Sequence, residues 1–186
     1  MKRLADIVIS LTLIMILWPL MLIIGLIIKV DSSGPILYSR KKNGFPYYRV
    51  GKGAKLFHYF KFRSMYINTE TVTKFGYFIR RWHLDELPEL FLVLIGHMSL
   101  VGPRPLSRGR VNRHIKCYYE SLKVKPGITG PIQINRNKKN TIEDIIISNN
   151  WYANHLCFLT DLIIILKTPL AIIKQKEGAS GTLLML

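Results

Sequence analysis

The stretch "RRWHLDELPELFLVLIGHMSLVGPRPL", residues Arg80–Leu106, sets two adjacent acids between a pair of arginines and a long apolar run. Acids are scarce in this chain, which has 11 Asp and Glu against 27 Lys and Arg and a formal net charge of +16. Adjacent acids occur only at Asp85-Glu86 and at Glu143-Asp144. Each pair either serves the local structure or takes part in chemistry, and the surrounding residues distinguish the two cases.

Pro88 decides the local structure around Asp85-Glu86. Proline disfavours helical geometry at the preceding residue and suits the first position of a helix. We therefore predict that a helix begins at Pro88, with the two acids just before it and arginines on both sides. Carboxylates next to a bound phosphate commonly hold a divalent metal or attack phosphorus. The sequence leaves an alternative open, in which Arg81 and Asp85 form an ion pair along a helix and Glu86 is merely exposed.

The second pair, Glu143-Asp144, has a simpler explanation. Thr141 precedes Asp144 by three residues, which is the spacing of a capping box at the start of a helix. Acids in the first turn also complement the helix dipole. We therefore predict a structural role for this pair.

Length and composition narrow the class of protein. A chain of 186 residues is long enough for one domain with a real core. The excess of positive charge predicts an anionic partner. Hydrophobic residues make up 49% of the chain, and the basic residues alternate with aliphatic blocks. This pattern disfavours a nucleic-acid partner, for which no recognition motif is present, and it favours an anionic membrane surface and a phosphorylated substrate.

Residues 4–30 are almost entirely apolar and predict a membrane helix, because roughly 20 apolar residues suffice to cross a bilayer. Pro19 near the centre predicts a kink. Basic residues stand on both sides, Lys2 and Arg3 before the segment and Arg40–Lys42 after it. Positive charge is retained on the cytoplasmic side, so this pattern favours a helix that enters and leaves by the same face. A kinked spanning helix stays open as the alternative.

The remainder predicts a mostly helical α+β fold. Residues 32–65 alternate aromatic and basic side chains between Gly and Pro, which predicts short strands and a β-hairpin. Residues 69–95 are predicted to be helical, with breaks at Gly76 and Pro88. Further helices are predicted over residues 109–125, 141–148 and 156–173. The last of these has the composition of an amphipathic interfacial helix, and a buried core helix stays open as the alternative. The predicted division is a membrane-inserted helix, 1–31, and a membrane-surface domain, 32–186.

Four motifs then occur in order: "KFRSM" (61–65), "LDELPEL" (84–90), "MSLVGPRPL" (98–106) and "KPGITG" (125–130). Together they resemble the ordered motifs of bacterial sugar transferases, the monotopic polyprenyl-phosphate phosphoglycosyl transferases. The resemblance covers nearly the whole chain, including the N-terminal membrane segment. The short length resembles the minimal catalytic form of that family.

The resemblance implies a specific reaction. Such enzymes move a sugar-1-phosphate from a UDP-sugar to undecaprenyl phosphate and release UMP. Asp85 matches the family nucleophile, which would form an aspartyl phosphosugar intermediate, and Glu86 matches its partner in the dyad. Mg²⁺ bound by Asp85 would bridge to the diphosphate. The family also implies a re-entrant N-terminal helix in the bacterial cytoplasmic (inner) membrane, with the catalytic domain on anionic lipid at the cytoplasmic face.

The same resemblance assigns roles to basic residues. Four match positions expected to meet the phosphates or the nucleotide: Lys61, Arg63, Arg104 and Lys125. Arg80 matches a position near the lipid phosphate. Several positions depart from the family pattern, and two of them bear on the candidate site. His97 stands where an acid is usual, so a metal or structural role of that acid is left open, and Lys125 stands where Arg is usual, which loses bidentate phosphate geometry.

One function from another class stays open, a non-catalytic membrane-surface protein that binds polyprenyl phosphate or anionic lipid. Asp85-Glu86 disfavours it, because a protein that only binds phosphate gains nothing from two local negative charges. The identity of the sugar, the glycan pathway and the oligomeric state are left open by the sequence.

Overall fold

The computed structural model describes residues 1–39, 46–67, 69, 71–135 and 141–179, with side chains up to residue 173. The basic flank Arg40–Lys42 lies outside the described residues. The helices are α1 (Lys2–Asp31), α2 (Lys74–Arg81), α3 (Glu89–Leu94), α4 (Arg108–Arg113), α5 (Pro131–Ile134), α6 (Ile142–Asn154) and α7 (Phe158–Ala179). The strands are β1 (Leu37–Tyr38), β2 (Tyr48–Val50), β3 (Leu56–His58), β4 (Lys61–Phe62), β5 (Ser99–Val101) and β6 (Gly127–Thr129). Helices with a few short strands confirm the predicted mostly helical α+β class.

Helix α1 is a continuous helix of 30 residues with Pro19 in its interior. Within the described ranges it is the one helix whose length and composition would allow it to cross a membrane. Its buried residues fall into two groups, Asp6 and Ser10 near the start, and Ile24, Gly25 and Ile28 near the end. The helix is therefore held at its two ends, and most of the side chains between them are exposed.

The N-terminal end of α1 is attached by hydrogen bonds that involve charged groups. The guanidinium of Arg3 donates to the carbonyls of Val93 and Leu94 at the end of α3, at 2.6 and 2.7 Å. The Asp6 carboxylate accepts a hydrogen bond from the Ser99 hydroxyl of β5 at 2.9 Å. A cation at the C-terminus of a helix and a buried carboxylate with a donor are both favourable arrangements. The start of α1 is thus fixed to the centre of the folded domain.

The same end is also joined to α7. The Lys2 ammonium and the Asp161 carboxylate form an ion pair at 2.5 Å. The Tyr152 hydroxyl of α6 donates to Asp161 at 2.5 Å. Charge-assisted hydrogen bonds of this kind are stronger than neutral ones, so α1, α6 and α7 meet at a well-defined point.

The C-terminal end of α1 packs against different elements of the same domain. Ile24 and Ile28 form a buried apolar cluster with Phe62 of β4 and Ile79 of α2. The Arg63 side chain is buried there. Its guanidinium donates at 2.7–3.4 Å to four backbone carbonyls, those of Ile28, Ser32, Ser33 and Pro35. The last carbonyls of a helix lack partners within it, and Arg63 supplies donors at this helix end.

Three two-stranded sheets connect the helices. β1 pairs with β4 and β2 pairs with β3, both antiparallel, and β2–β3 is the predicted hairpin. Phe57 and Tyr59 of the hairpin region pack on Leu92 and Val93 of α3. Because α3 follows the Asp85-Glu86 pair directly, this packing fixes the hairpin beside the two acids.

The parallel pair of β5 and β6 joins two of the sequence motifs. Ser99 lies opposite Gly127, and the Gly102 amide donates to the Thr129 carbonyl at 2.9 Å. A Cβ at Gly102 would stand 2.5 Å from the Lys125 carbonyl oxygen, and one at Gly127 would stand 2.0 Å from the Gly102 nitrogen. The two backbones therefore approach so closely that both positions require glycine.

Several predicted element boundaries are confirmed. A helix does begin directly after Pro88, with α3 starting at Glu89. Thr141 and Asp144 form the predicted capping box at the start of α6. The predicted break at Gly76 is wrong, because Gly76 lies inside α2, where a Cβ would stand 2.1 Å from the Ser64 carbonyl oxygen. Gly76 thus serves close packing and does not end the helix.

The predicted helix over 109–125 is wrong in its second half, because α4 ends at Arg113. The Asn150 side chain of α6 explains the difference. Its amide nitrogen donates to the Cys117 carbonyl at 2.7 Å, and its oxygen accepts from the Ser121 amide at 3.1 Å. These bonds replace helical backbone bonds, so tertiary contacts override the helical period here.

The role of Arg63 at the end of α1 can be measured. Arg63→Ala removes the donors of four backbone carbonyls, so we expect the free energy of unfolding to fall by about 2–4 kcal/mol. Lys74→Ala removes an exposed cation from α2 and should leave stability unchanged within about 0.5 kcal/mol. Thermal unfolding in detergent micelles would compare the two variants, and equal stability would contradict this role.

Candidate active site

Asp85 and Glu86 lie in a single 3₁₀ turn, Leu84–Glu86, between α2 and α3. His83 just before the turn has a left-handed φ of 55°, which is uncommon for a residue with a side chain. Leu84 and Leu87 anchor the turn on the cluster at the end of α1. Backbone strain held in place by packing is frequent at functional sites, and here it fixes the direction of both acids.

Asp85 is buried and paired with a cation from another motif. Its side chain is 4% exposed, and its Oδ2 accepts a hydrogen bond from the ammonium of Lys61 of β4 at 2.5 Å. A charge-assisted bond of this length holds the carboxylate in one orientation. The structure therefore brings together Asp85 and Lys61, two of the predicted site residues.

Glu86 is held as a carboxylate by its cationic neighbours. Burial acts to raise the pKa of Glu86, but the hydrogen bond and charge of His83, with the charges of Arg104 and Lys61, together hold that pKa below its ordinary value. The distance from His83 Nδ1 to Glu86 Oε2 is 3.4 Å. Glu86 is thus negatively charged at neutral pH.

Glu89 is a third acid at this site, and the sequence reasoning did not identify it. It is buried, and the Tyr59 hydroxyl donates a hydrogen bond to its Oε1. Burial and the charge of Glu86 raise the pKa of Glu89 well above its ordinary value. The protonated form of Glu89 is therefore favoured, beside a Glu86 that is held charged. Its position one helical turn after Asp85 was the available signal, because residues i and i+4 share a helix face.

Arg104 belongs to the same group. Its backbone amide donates to Oδ1 of the buried Asn149 at 3.2 Å, which fixes the Gly-Pro-Arg-Pro loop on α6. Its charge acts to lower the pKa of both Glu86 and Glu89. Two cations from separate motifs, Arg104 and Lys61, thus surround the acids of a third motif.

The other predicted basic residues occupy different places. Arg80 donates from Nε to the Ser64 hydroxyl at 2.7 Å, which links α2 to the "KFRSM" motif. Four of the five guanidinium donors of Arg63 serve backbone carbonyls, which gives Arg63 a structural role, and its predicted phosphate contact stays a prediction. Burial lowers the pKa of Lys125, which lies near the start of α1, and the charge of Arg3 lowers it further.

His97, the departure from the family pattern, is exposed. Its ring stacks on Phe57 with centroids 5.6 Å apart and an interplanar angle of 18°. It therefore extends the packing of the β2–β3 hairpin.

An apolar cavity of about 360 Å³ opens beside the dyad. Its walls come from α1, the 3₁₀ turn with α3, β6 with α5, and α7. Apolar lining residues include Ile9, Leu13, Leu17, Leu87, Leu90, Ile165, Pro169 and Ile172. Glu86 and His83 are among the few charged or titratable residues in the lining. Glu86, one of the acids, therefore lies in the wall of a mostly apolar cavity.

Asp85 and Glu86 suit a metal ion whose remaining ligands are phosphate oxygens of a bound substrate. Within the described part of the chain, no group of three or more His, Cys, Asp or Glu side chains is arranged to hold a metal by itself. Asp85 and Glu86 offer two carboxylates, and Mg²⁺ usually takes one or two carboxylates together with substrate phosphates. The donor set is therefore that of an open site and not of a closed structural one.

Comparison with known proteins identifies the family of the chain. The family model described as "Bacterial sugar transferase" matches residues 1–175. The chain is 35% identical over 95% of its length to a UDP-glucose:undecaprenyl-phosphate glucose-1-phosphate transferase of Xanthomonas campestris pv. campestris, and 32% identical over 96% to an undecaprenyl-phosphate galactose phosphotransferase of Salmonella typhimurium. These matches span only 40% and 41% of the two relatives.

A third relative has about the same length as this chain. The exopolysaccharide production protein PSS of Rhizobium leguminosarum bv. phaseoli is 31% identical over 96% of this chain and 98% of its own. The family match over nearly the whole chain, together with these identities, establishes the relationship. The chain belongs to the bacterial sugar transferase family.

Proposed function

We propose that this protein transfers a sugar-1-phosphate from a UDP-sugar to undecaprenyl phosphate, with release of UMP, as the first membrane step of bacterial glycan assembly. The observation that carries the proposal is the buried Asp85 carboxylate, held by Lys61 next to an apolar cavity that is lined by Glu86. The relatives from Xanthomonas and Salmonella are a UDP-glucose:undecaprenyl-phosphate glucose-1-phosphate transferase and an undecaprenyl-phosphate galactose phosphotransferase, which supports the same donor and acceptor classes.

In the first step, an Asp85 carboxylate oxygen attacks the sugar-bearing phosphorus of the donor. A new oxygen–phosphorus bond forms, the bond to the bridging oxygen breaks, and UMP leaves with the electron pair. Lys61 and Arg104 neutralise charge on the phosphate oxygens, which is the largest contribution a protein can make to phosphoryl transfer. The product is an aspartyl phosphosugar.

In the second step, a phosphate oxygen of the lipid attacks the same phosphorus. The bond between Asp85 and phosphorus breaks, which restores the free carboxylate and releases the lipid diphosphate sugar. Glu86 is a carboxylate at the junction of the dyad and the cavity, so it is placed to accept a proton from an incoming phosphate. Splitting the transfer into two steps lets a water-soluble donor and a lipid acceptor use one site in turn.

Mg²⁺ is part of this proposal, and Asp85 and Glu86 are the residues that would hold it. Bound there, it would neutralise charge as phosphorus is attacked. The two carboxylates of the dyad fit that role because substrate phosphates and water would complete its coordination.

The apolar cavity is the proposed place for the acceptor lipid. Its walls are aliphatic, as a polyprenyl chain requires, and its polar lining includes Glu86 and His83. Burial of apolar surface contributes about 25 cal/mol per Å², so even the first isoprene units would bind appreciably. The lipid phosphate would then lie beside the dyad.

The attachment of α1 supports a re-entrant membrane helix on the cytoplasmic face of the inner membrane. Arg3 and Asp6 fix one end of α1 to α3 and β5, and Arg63 holds the other end. A helix that crossed a hydrocarbon core of roughly 30 Å would place its ends on opposite sides. Both ends contact one folded domain, so we propose that both lie in the cytoplasm beside anionic lipid.

The three acids give a test of the nucleophile. Asp85→Asn keeps the side-chain shape but removes the attacking charge, so both half-reactions should stop. Glu86→Gln should slow turnover by roughly 10²–10⁴-fold. Glu89→Gln should keep the rate within about threefold, because an amide resembles the neutral acid already present there. UMP release would be measured for each variant with undecaprenyl phosphate and a panel of UDP-sugars.

The covalent intermediate is the decisive part of the same test. Wild-type protein given the donor without acceptor should release up to one equivalent of UMP and gain the mass of a phosphosugar on the peptide that contains Asp85. If UMP appears only when lipid phosphate is present, the two-step reaction is wrong and Asp85 is at most a metal ligand. If no donor is turned over at all, the protein is a non-catalytic lipid binder.

The metal can be tested separately. Chelation by excess EDTA should abolish UMP release, because the negative charge on the donor diphosphate would no longer be neutralised by a metal, and added Mg²⁺ should restore it. Full activity in excess chelator would remove the metal from the proposal.

The topology predicts a labelling pattern. One cysteine would be placed in a short extension before Met1 and another at Ser33→Cys, each in a background in which Cys117 and Cys157 are replaced by Ser. A membrane-impermeant maleimide should label neither position in intact cells and both after the inner membrane is permeabilised. Labelling of only one position in intact cells would mean that α1 spans the membrane.

A further inference from the structure

Arg49 lies on β2, on the face of the β2–β3 hairpin that packs on α3. The register sets Arg49 opposite Phe57, and the Tyr59 amide donates to the Tyr47 carbonyl. Because side chains alternate along a strand, Tyr47, Arg49, Phe57 and Tyr59 share one face. The Arg49 guanidinium carbon is 4.8 Å from the centre of the Tyr47 ring and 5.3 Å from that of Tyr59.

This cation has no anionic partner in the described part of the chain. No described carboxylate lies within 4.0 Å of its guanidinium nitrogens, and its Nε is buried without a hydrogen-bond acceptor among those residues. A buried donor left unpaired is costly. Two aromatic faces offset part of that cost, but they satisfy none of the N–H groups, which are directional donors that need an acceptor.

Tyr59 connects Arg49 to the acids of the active site. The ring of Tyr59 contacts Arg49, and the Tyr59 hydroxyl donates to Glu89. Glu89 in turn is close enough to Glu86 for the charge of Glu86 to affect it. Arg49, in the hairpin, is therefore linked to the dyad through Tyr59 and then Glu89, whereas the apolar cavity is lined in part by α1 and α7.

We propose that Arg49, held between Tyr47 and Tyr59, binds the phosphate that leaves with the nucleotide. This inference rests on the proposed function, since it assigns a residue to the donor of that reaction. Lys61 is paired with Asp85 and so lies at the sugar-bearing phosphate. The donor diphosphate has a second phosphate, which also needs a cation. Arg49 is a further cation near the acids, and it has no anionic partner among the described residues.

The stacking of Arg49 between Tyr47 and Tyr59 explains why arginine and tyrosine occur together here. The planar guanidinium stacks on aromatic rings while its edge keeps N–H groups free for a phosphate. A guanidinium already fixed between two rings loses less conformational freedom when the ligand binds. Lysine would keep the charge, but it offers neither the stacking surface nor the paired donors.

The test uses UMP as the probe, with full-length protein in detergent. Arg49→Ala should weaken UMP binding roughly 10- to 100-fold, as expected for loss of a charge-assisted hydrogen bond, and Arg49→Lys should weaken it less. The KM for the UDP-sugar should rise in parallel, while the KM for undecaprenyl phosphate stays unchanged. Lys55→Ala is the matched control, because Lys55 is an exposed cation in the turn of the same hairpin.

Three outcomes would overturn the inference. The first is wild-type affinity for UMP in Arg49→Ala with only a lower Tm, which would make Arg49 a packing residue. The second is an equal loss of UMP affinity in Lys55→Ala, which would indicate a general effect of surface charge. The third is wild-type protein that does not bind UMP. If Arg49→Ala does not fold, Arg49→Lys carries the comparison, and unchanged UMP affinity in that variant counts against the proposal.

The inference and the proposed function fail in different ways. Wild-type protein that binds UMP through Arg49 but transfers no phosphosugar would contradict the reaction and leave the Arg49 site standing. Wild-type protein that transfers phosphosugar, combined with an Arg49→Ala variant of unchanged UMP affinity, would contradict the Arg49 site alone.

Discussion

The attachment of both ends of α1 to one domain is the constraint on which the rest of the architecture depends. Arg3 and Asp6 hold the start of the helix against α3 and β5, and Arg63 holds the end through backbone carbonyls. These contacts involve charged groups at the margins of an otherwise apolar helix. Removing a partner from a buried charge costs far more than removing an apolar contact, so the position of α1 is strongly specified.

Three acids within five residues occupy three different electrostatic environments. Asp85 is paired with Lys61, Glu86 is kept charged by His83, Arg104 and Lys61, and burial with the charge of Glu86 raises the pKa of Glu89. Like charges in a confined site cannot all ionise, and the hydrogen bond from Tyr59 fixes the position of Glu89. A chain with few acids thus concentrates three of them where different charge states are useful.

Much of this could be predicted from the sequence where the signal was local. Pro88 determines where α3 begins, and the Thr141–Asp144 spacing determines the start of α6, because both act on the backbone of their own neighbours. Features that depend on distant contacts were missed. Asn150 interrupts the predicted helix over 109–125 from a separate element. Arg63 was expected at a phosphate because its motif suggested one, whereas its partners are carbonyls about 30 residues away.

Helix α1 forms one wall of the apolar cavity as well as the proposed membrane attachment. A protein built in this way has no separable anchor. Trimming α1 to obtain a soluble fragment would remove Ile9, Leu13 and Leu17 from the cavity and leave the carbonyls at the end of α3 without Arg3. Membrane lipids that shift α1 would reshape the cavity at the same time, so the thickness and fluidity of the bilayer become direct determinants of how the cavity accepts an apolar chain.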